Sequence, residues 1–409
     1  MSAVEANNFA SITVPNGENA LWTGWPAIVK RLHRAITERC SSKPVLVVEC
    51  YPGVAVEPIF RELQQRLQPT LAFQASTVFH PAPRIEKLTQ SYLDESTLPL
   101  AHRHPLTLLE YFDAERLWHA RREIEDLREG LVLIVGVGAS LVAWGHVLVY
   151  TGLTRRDAQS RLQSDCSNLG LENQSLAASE KLRIASLVDW PVADRWKRPL
   201  ITHWDFVLET KLLENPHLFD GEAVQHALQS AVQRPFRFTQ SHASSTWPEQ
   251  SLLLSFGDMH LELPALDLLM AQPRALLGDA ALLRFGLNCP LPLLPPKLPP
   301  SPHQPLRNGD GWSEGRIVLP QQSSAIETRR LQFTRGVPQH TNGNMLVLEL
   351  VNGPKLGVES PTQAFTPVVF ASGQQFIVPA GVGEFILRPA GLSPEKTWVA
   401  LKAFVRTAP

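Results

Sequence analysis

The sequence predicts an α/β domain followed by an all-β domain. From about residue 20 to residue 232, apolar strand candidates alternate with amphipathic helices, a pattern typical of a parallel sheet with helices on both faces. The composition changes after Phe238, where a proline-dense run and then short alternating stretches follow. We therefore expect three parts: an N-terminal tail at 1–19, the α/β domain at 20–232 and a β domain at 233–409.

The strand candidates of the α/β domain are short apolar runs. They lie at residues 45–48, 70–78, 131–135, 147–150 and 204–208. Residues 112–130 predict a helix between two of these strands, with Asp113 placed to cap it and Gly130 to end it. Its apolar positions fall on one face, at Leu117, Ala120, Ile124 and Leu127.

The β domain begins with a connector and continues with strands. Residues 289–305 hold many of the 34 prolines and predict a rigid, extended connector, because neither a helix nor a central strand tolerates such a run. Short alternating stretches then predict a small antiparallel sandwich or barrel. These stretches are "NMLVLEL", "TPVVF", "QQFIVP", "GEFILRP" and "WVALKAFV".

Composition excludes several classes of partner and site. The formal net charge is −1, so the chain lacks the basic footprint that nucleic acid or an anionic membrane would attract. Cys40, Cys50, Cys166 and Cys289 form no CxxC pair, which argues against a disulfide framework or a zinc knuckle. The N-terminus does not resemble a secretory signal, and no apolar run reaches the ~18 residues of a membrane span. We expect a cytoplasmic protein.

The stretch "VLVVECYPGVAVEPIF" (45–60) predicts a strand, a tight turn and a helix. A phosphate-binding loop sits at such a turn in nucleotide kinases, but this turn lacks the lysine and the Ser/Thr that engage phosphates and magnesium. We therefore expect no phosphoryl transfer. Two interpretations remain: a structural turn, or an anion or sugar-phosphate pocket formed by backbone N–H groups with Glu49 as a hydroxyl acceptor.

Several strings, taken in order, resemble a bacterial group of class I mannose-6-phosphate isomerase-like proteins. They are "VVECYPGV", "GVGAS", "LVYTGLTRRDAQSRL", "SNLGLEN", "LVDWPVADRWK", "WDFVLET", "RPFRF", "SLLLSFGDMHLELPALDLL" and "RALLGDAALLRFG". In that group a nucleoside-kinase-like α/β domain precedes a cupin region. The resemblance covers about residues 20–290 and, more loosely, 325–406. It implies a P-loop kinase-like α/β domain with a degenerate loop, a reduced cupin-like β domain and a role in carbohydrate metabolism.

The resemblance also implies a divalent metal, typically zinc, and aldose–ketose isomerase activity, yet the ligand-bearing stretch differs here. Relatives carry a Gln-x-His pair, a glutamate and a further histidine, whereas this chain has the connector and "LRNGDGWSEGRIVLP". His303 and Gln304 stand in the wrong order, so no metal ligand carries over. We expect no cofactor and a lost or impaired isomerase activity. The alternative is a non-catalytic regulatory or scaffolding protein that binds a sugar phosphate or a nucleotide.

No catalytic residue emerges from the sequence, but six residues are candidates for binding a phosphorylated small molecule. They are Tyr51, Gly53, Arg155, Arg156, Arg195 and Lys197. "TRRDAQSRL" resembles the arginine-bearing lid of uridine-kinase-like enzymes, in which guanidinium groups grip phosphates. Adjacent residues are about 100° apart on a helix, so at most one of Arg155 and Arg156 points squarely into a crevice, and Arg161 is expected to face solvent.

Each of these motifs also has a structural interpretation. The helix of "TRRDAQSRL" can be solvated, with Arg161 paired to Asp157, and the charges of "DWPVADRWKR", including Asp189 and Asp194, can lock two helices together. "GVGAS" is a lone GxG, which a close backbone approach in a turn explains. His260 and Glu262 alternate on one strand face, and a half-buried polar pair is a better interpretation than an incomplete metal site.

Overall fold

The structure is a computed structural model, and it describes most of the chain. The described residues are 10–94, 106–164, 166–238, 251–264, 267, 304–317, 326–391 and 397–405. The chain divides into two compact units. The α/β unit comprises Thr13–Ala227 and Leu253–Pro264, and the β unit comprises Met1–Ile12, Leu228–Leu252 and Ala265–Pro409. The predicted tail up to residue 9 and the proline-rich connector at 289–303 lie outside the described residues.

The first eight strands and all nine described α-helices come before residue 232. The strands are β1 (Ala10–Thr13), β2 (Leu21–Thr23), β3 (Val45–Cys50), β4 (Leu71–Gln74), β5 (Val132–Gly136), β6 (Val147–Thr151), β7 (Phe206–Glu209) and β8 (His217–Asp220). The helices are α1 (Gly24–Glu38), α2 (Val56–Leu67), α3 (Ala82–Asp94), α4 (Ala114–Asp126), α5 (Ala139–Val142), α6 (Arg155–Gln163), α7 (Ala178–Ile184), α8 (Trp190–Leu200) and α9 (Gly221–Ala231).

The α/β unit is organised around a seven-stranded sheet with the order β2-β8-β7-β6-β3-β5-β4. The five strands from β7 to β4 run parallel, and β8 and β2 add an antiparallel edge. Strands β3, β5 and β6 are buried along their whole length, which is why nearly all of their residues are apolar. The chain moves from β3 towards β4 but from β6 towards β7, so right-handed crossovers put these connections on opposite faces.

Two predicted elements end earlier than expected. The strand predicted at 70–78 stops at Gln74, and Ala75–Val78 forms a 3-10 helix, because the hydroxyl of Thr77 donates to the carbonyl of Gln74 at 2.8 Å and turns the chain. Helix α4 starts where predicted, since the Asp113 side chain accepts from two backbone N–H groups at its start. It ends at Asp126, before Gly130, and Leu127 has left the helical conformation.

The remaining strands come after residue 235. They are β9 (Phe236–Phe238), β10 (Ser251–Phe256), β11 (Met259–Pro264), β12 (Gln304–Gly309), β13 (Trp312–Ile317), β14 (Ile326–Phe333), β15 (Val337–His340), β16 (Leu346–Asn352), β17 (Lys355–Glu359), β18 (Val368–Ala371), β19 (Gln375–Val378), β20 (Glu384–Ala390) and β21 (Trp398–Val405). A three-stranded sheet has the order β1-β10-β11.

The β unit contains two antiparallel sheets around one core. The larger has the order β12-β13-β14-β21-β16-β19-β9 and the smaller β15-β20-β17-β18. Alternate residues of both sheets form a single buried cluster that includes Phe333, Leu348, Phe370, Phe376 and Phe385. Each of the five predicted stretches contains a strand, so the expectation of a mixed chain with an antiparallel β-rich part is confirmed.

Of the helices that the structure describes, none combines the length and the apolar character that a membrane span requires.

Candidate functional site

The carboxyl edge of the parallel sheet is where a ligand site is expected. The connections leave β3 and β6 in opposite directions, so the strand order reverses between these two neighbours. Open α/β sheets bind ligands in the crevice outside such a switch point. The backbone N–H of Tyr51, just after β3, donates to the carbonyl of Thr151 at the end of β6, at 2.9 Å. The two loops that would form the crevice are therefore joined to each other.

Protein side chains fill this crevice. The guanidinium of Arg155 is only 9% exposed and donates to both the hydroxyl of Tyr51 and the carboxylate of Asp194. The Tyr51 hydroxyl in turn donates to the second oxygen of Asp194 at 2.8 Å. Burial, together with the nearby charge of Asp194, raises the pKa of Tyr51 well above its usual value, so the phenol stays a donor. A buried cation is thus neutralised within the protein.

Lys197 belongs to the same group of side chains as Tyr51, Arg155 and Asp194. The ammonium of Lys197 lies 5.1 Å from the ring centre of Tyr51 and 5.5 Å from that of Tyr150. Asp194 and Lys197 are three residues apart on α8 and so share one face of that helix. A π-helical turn at Ala185–Asp189 leads into α8.

Not all six predicted phosphate-binding residues meet in the crevice. Tyr51, Arg155 and Lys197 do, and Gly53 lies in the adjoining turn. Arg156 is on the exposed side of α6, where it donates to Glu262 at 3.0 Å with its side chain 66% exposed. Arg195 points elsewhere on α8 and donates to the carbonyl of Leu106.

Arg161 does not face solvent as predicted. It is half-buried, and its guanidinium donates to the carbonyl of Gly53 at 2.9 Å, because α6 packs beside the turn that follows β3. This turn needs glycine, since Gly53 has a φ of 94°. Arg161 therefore holds the turn after β3 in place, the turn for which the sequence left open either a structural role or an anion pocket.

The neighbouring loop holds a carboxyl group that belongs to the protein. The carboxylate of Glu49, at the end of β3, accepts from the backbone N–H groups of Gly138 and Ser140 at 2.6 and 2.9 Å, and from the Ser140 hydroxyl at 2.5 Å. The indole N–H of Trp196 donates to that same hydroxyl at 3.1 Å. Burial raises the pKa of Glu49 to about 7, although these hydrogen bonds oppose the shift. The "GVGAS" turn therefore binds the side chain of Glu49 through its own N–H and O–H groups.

Asp189, the other acid of "DWPVADRWKR", has a structural role. It is buried beneath "SNLGLEN", and one oxygen accepts from the side-chain amide of Asn168 at 2.7 Å and from the backbone of Leu169 at 3.3 Å. Burial raises its pKa to about 6. Nearby, the buried ammonium of Lys181 donates to the carbonyls of Ser164 and Cys166. These contacts fold the loop between α6 and α7.

The β unit has its own polar cluster on the inner side of the larger sheet. The buried carboxylate of Glu314 is 2.7 Å from the ammonium of Lys402 and 2.9 Å from the guanidinium of Arg329. These cations lower the pKa of Glu314 in spite of its burial. Among the residues that the structure describes, no three or more His, Cys, Asp or Glu side chains come together as metal ligands would. His260 is exposed, and Glu262 pairs with Arg156 and Lys211.

The α/β unit is a domain built on a mixed sheet, and protein side chains fill the crevice at the carboxyl edge of that sheet. Residues 24–233 match the profile of a domain of unknown function, DUF8485, and the chain belongs to that family. No curated protein sequence matches the chain.

Solved structures with partial similarity include proteins from three organisms. A proposed mannosephosphate isomerase from Archaeoglobus fulgidus is 13% identical, with 21% of this chain and 25% of that chain covered and a TM-score of 0.18. The cupin domain of Cnp3 from Schizosaccharomyces pombe is 12% identical over 24% of this chain and 61% of that one, at 0.19. EutQ from Clostridium difficile is 9% identical over 23% and 67%, also at 0.19. Similarities of this size carry no functional argument.

Proposed function

We propose that this chain is a mannose-6-phosphate isomerase-like protein of carbohydrate metabolism that no longer turns over substrate. In this proposal the α/β unit is a P-loop kinase-like scaffold with a degenerate loop, the β unit is a reduced cupin, and the protein works in the cytoplasm without a cofactor. The observation that carries the proposal is the filled crevice, in which the predicted phosphate-binding residues Tyr51 and Arg155 already have partners within the protein.

Phosphoryl transfer needs positive charge where negative charge develops on the phosphate oxygens. Here the buried cation Arg155 is paired with Asp194, Arg161 donates to the carbonyl of Gly53 in the turn, and the loop after β5 holds the carboxylate of Glu49. A phosphate entering this edge would compete with Asp194 for Arg155 and would be repelled by Glu49 whenever Glu49 is charged. Both effects work against catalysis.

The β unit gives no support for metal-dependent isomerisation. Glu314 is the most deeply buried carboxylate on its inner face, and two cations already neutralise it. A divalent cation placed there would be repelled by Lys402 and Arg329. The described residues of this face therefore do not fit a metal of the kind that the resemblance implies.

Regulatory binding of a phosphorylated small molecule is the second candidate, and Arg155 is the residue that favours it. Arg155 donates one N–H group to an oxygen of Asp194 and another to the hydroxyl of Tyr51, and the oxygens of a phosphate could accept both. Such a ligand would have to replace Asp194, so Asp194→Asn should strengthen its binding.

Turnover assays test the main proposal. We expect neither phosphate release from ATP nor interconversion of mannose 6-phosphate and fructose 6-phosphate, with magnesium or zinc supplied. Turnover near the roughly 1–100 s⁻¹ of kinases would overturn the proposal for the α/β unit. A melting-temperature increase with mannose 6-phosphate, larger in Asp194→Asn and absent in Arg155→Ala, would instead establish the regulatory alternative.

A further inference from the structure

The α/β unit has a cavity at the edge of the sheet opposite the filled crevice. Its volume is about 510 Å³, within the range of small-molecule sites. It is lined by the second half of α1, by residues 202–206 and by the start of α9. Because β7 begins at Phe206, residues 202–205 lie at the amino end of this parallel strand. The cavity is therefore separate from the predicted crevice and independent of the function proposed above.

The lining is polar and carries more acid than base. It contains two arginines and four carboxylates, together with a histidine, a glutamine and a tryptophan. Both arginines lie beside carboxylates: Arg39 donates to Asp205, and Arg31 lies 3.9 Å from Glu38 with its guanidinium 4.7 Å from the ring centre of Phe206. An anionic ligand would thus find no surplus positive charge here and would be repelled by the remaining acids.

The acids of the lining act chiefly as hydrogen-bond acceptors with fixed positions. Asp205 accepts from the backbone N–H of Leu148 at 2.7 Å, and Asp220 caps α9 through the N–H of Ala223 at 3.1 Å. The side-chain amide of Gln225 donates to the carbonyl of Trp204 at 3.1 Å, which orients its own oxygen. Positioned carboxylates and amides of this kind suit a ligand rich in hydroxyl donors.

An exposed tryptophan flanks this cavity. Trp144 is 59% exposed, and its ring meets that of His203, a lining residue, edge-to-face with 5.5 Å between ring centres. An indole exposed to this extent leaves an apolar ring face available to a ligand, with the polar indole N–H at its edge. An indole face stacks well on the apolar C–H face of a pyranose ring.

We propose that this cavity binds a neutral saccharide, with Trp144 stacked on one sugar ring and the carboxylates and Gln225 accepting hydrogen bonds from its hydroxyls. The polar lining selects a ligand with many hydroxyl groups, the acidic balance rejects phosphate and carboxylate groups, and the exposed indole supplies the apolar contact.

Isothermal titration calorimetry of the full chain tests the proposal with D-mannose, D-glucose, D-galactose, N-acetylglucosamine, cellobiose and maltose. We expect saturable binding of at least one of them. Trp144→Ala should weaken it by roughly tenfold, because an aromatic contact is worth up to about 1.5 kcal/mol. Glu222→Ala, in the lining, should weaken it severalfold through the loss of an acceptor.

Trp118→Ala is the matched control. Trp118 is 58% exposed and also meets a histidine ring edge-to-face, but it lies on α4 and outside the cavity lining. We expect it to bind the saccharide like the wild type. The proposal is overturned if no sugar of the panel binds, if Trp144→Ala and Trp118→Ala bind equally, or if mannose 6-phosphate binds more tightly than mannose. Saturable binding of spermidine without any sugar would assign the cavity to cationic amines and overturn it too.

Discussion

At the end of β6, the guanidinium of Arg155 meets the carboxylate of Asp194 and the hydroxyl of Tyr51 away from water. Burying two charges is costly, and their attraction offsets that cost only while both are present. Arg155 also stacks on Trp190, at 4.7 Å from the ring centre. The residue therefore has a structural role in the same place where the sequence predicts a phosphate-binding one.

We expect Arg155→Met to lower the free energy of unfolding of the α/β unit by about 3–5 kcal/mol, because it leaves the buried carboxylate of Asp194 without its cation. Urea unfolding followed by fluorescence measures the loss. Arg156→Met is the matched control: it removes the neighbouring, mostly exposed arginine and should change stability by no more than about 0.5 kcal/mol. The double variant Arg155→Met/Asp194→Leu should recover much of the loss. Equal effects of the two single variants would contradict a buried ion pair.

Glu49 introduces a pH dependence. Its pKa is raised to about 7 by burial, above the value of 4.5 for a free glutamate, so between these values the folded state keeps a proton that the unfolded state has lost. Stability from this group is therefore complete below about pH 4.5 and is lost as the pH rises through 7. Asp189, with a pKa raised to about 6, acts in the same direction.

We expect Glu49→Gln to flatten the decline in stability between pH 5 and 7 that the wild type shows, since an amide does not titrate. Unfolding titrations at several pH values give this slope. Glu57→Gln serves as the control, because the pKa of Glu57 is lowered by its bonds to Arg61 and Gln74 and this carboxylate does not titrate in that interval. A wild-type slope that survives in Glu49→Gln would show that Glu49 is not the titrating group.

At the scale of elements, the turn between β5 and α5 is the part that most depends on one residue type. Gly138 has a φ of 76°, and a Cβ at this position would lie 2.7 Å from the ring of Phe112. Both the left-handed conformation and the close ring exclude a side chain. The backbone N–H groups of this turn consequently stay aligned on Glu49.

We expect Gly138→Ala to destabilise the α/β unit by about 1–2 kcal/mol from backbone strain and by a further 1–3 kcal/mol or so from the clash with Phe112. Gly24→Ala separates the two contributions. Gly24 has nearly the same φ, 77°, but an added Cβ there would make only ordinary contacts, the nearest at 3.7 Å. Thermal and urea unfolding of both variants provide the comparison, and equal losses would rule out a role for Phe112.

At the scale of the whole molecule, the chain combines a mixed α/β sheet with an antiparallel β unit, and each part carries a buried polar cluster. The β unit binds its buried carboxylate with Lys402 and Arg329, as the α/β unit binds Asp194 with Arg155. In both units, cations of the protein itself therefore neutralise a buried carboxylate.

We predict that purified full-length protein retains no stoichiometric divalent metal after exhaustive dialysis, because the sequence lacks clustered His, Cys, Asp or Glu ligands at the usual spacing. Elemental analysis measures the content. The melting temperature should also be the same with and without a chelator. One equivalent of zinc per chain, or a drop in melting temperature when a chelator is added, would contradict this prediction.

Local patterns were sufficient to predict most elements. Buried strands such as Val132–Gly136 are uninterrupted apolar runs, and Asp113 caps α4 through contacts only two and three residues away. The β strands near the C-terminus are short and largely apolar, and each of their predicted stretches contains a strand. The error at Ala75–Val78 arose because a hydroxyl–carbonyl bond within the segment competes with strand pairing.

The site was predicted only in part. The types of residue at the carboxyl edge could be read from the sequence, since Tyr51 and Arg155 each follow a strand. Their partners could not. Asp194 lies 39 residues after Arg155, and Gly138 and Ser140 lie about 90 residues after Glu49. A glutamate ending a buried strand, followed much later by a Gly-x-Gly-x-Ser turn, was the available signal.

Apolar periodicity, capping residues and turn residues act over a few positions, so the sequence alone was enough to predict a mixed α/β part, an antiparallel β-rich part and most strand and helix positions. The tertiary structure decided which charges are neutralised. The strand order sets β3 between β5 and β6, and only that order brings Glu49 to the turn at Gly138 and Tyr51 to Arg155. It also decided the cavity beside Trp144, because residues of α1, β7 and α9 that are remote in the chain converge there. Contacts between distant residues depend on packing, which no short stretch of sequence encodes.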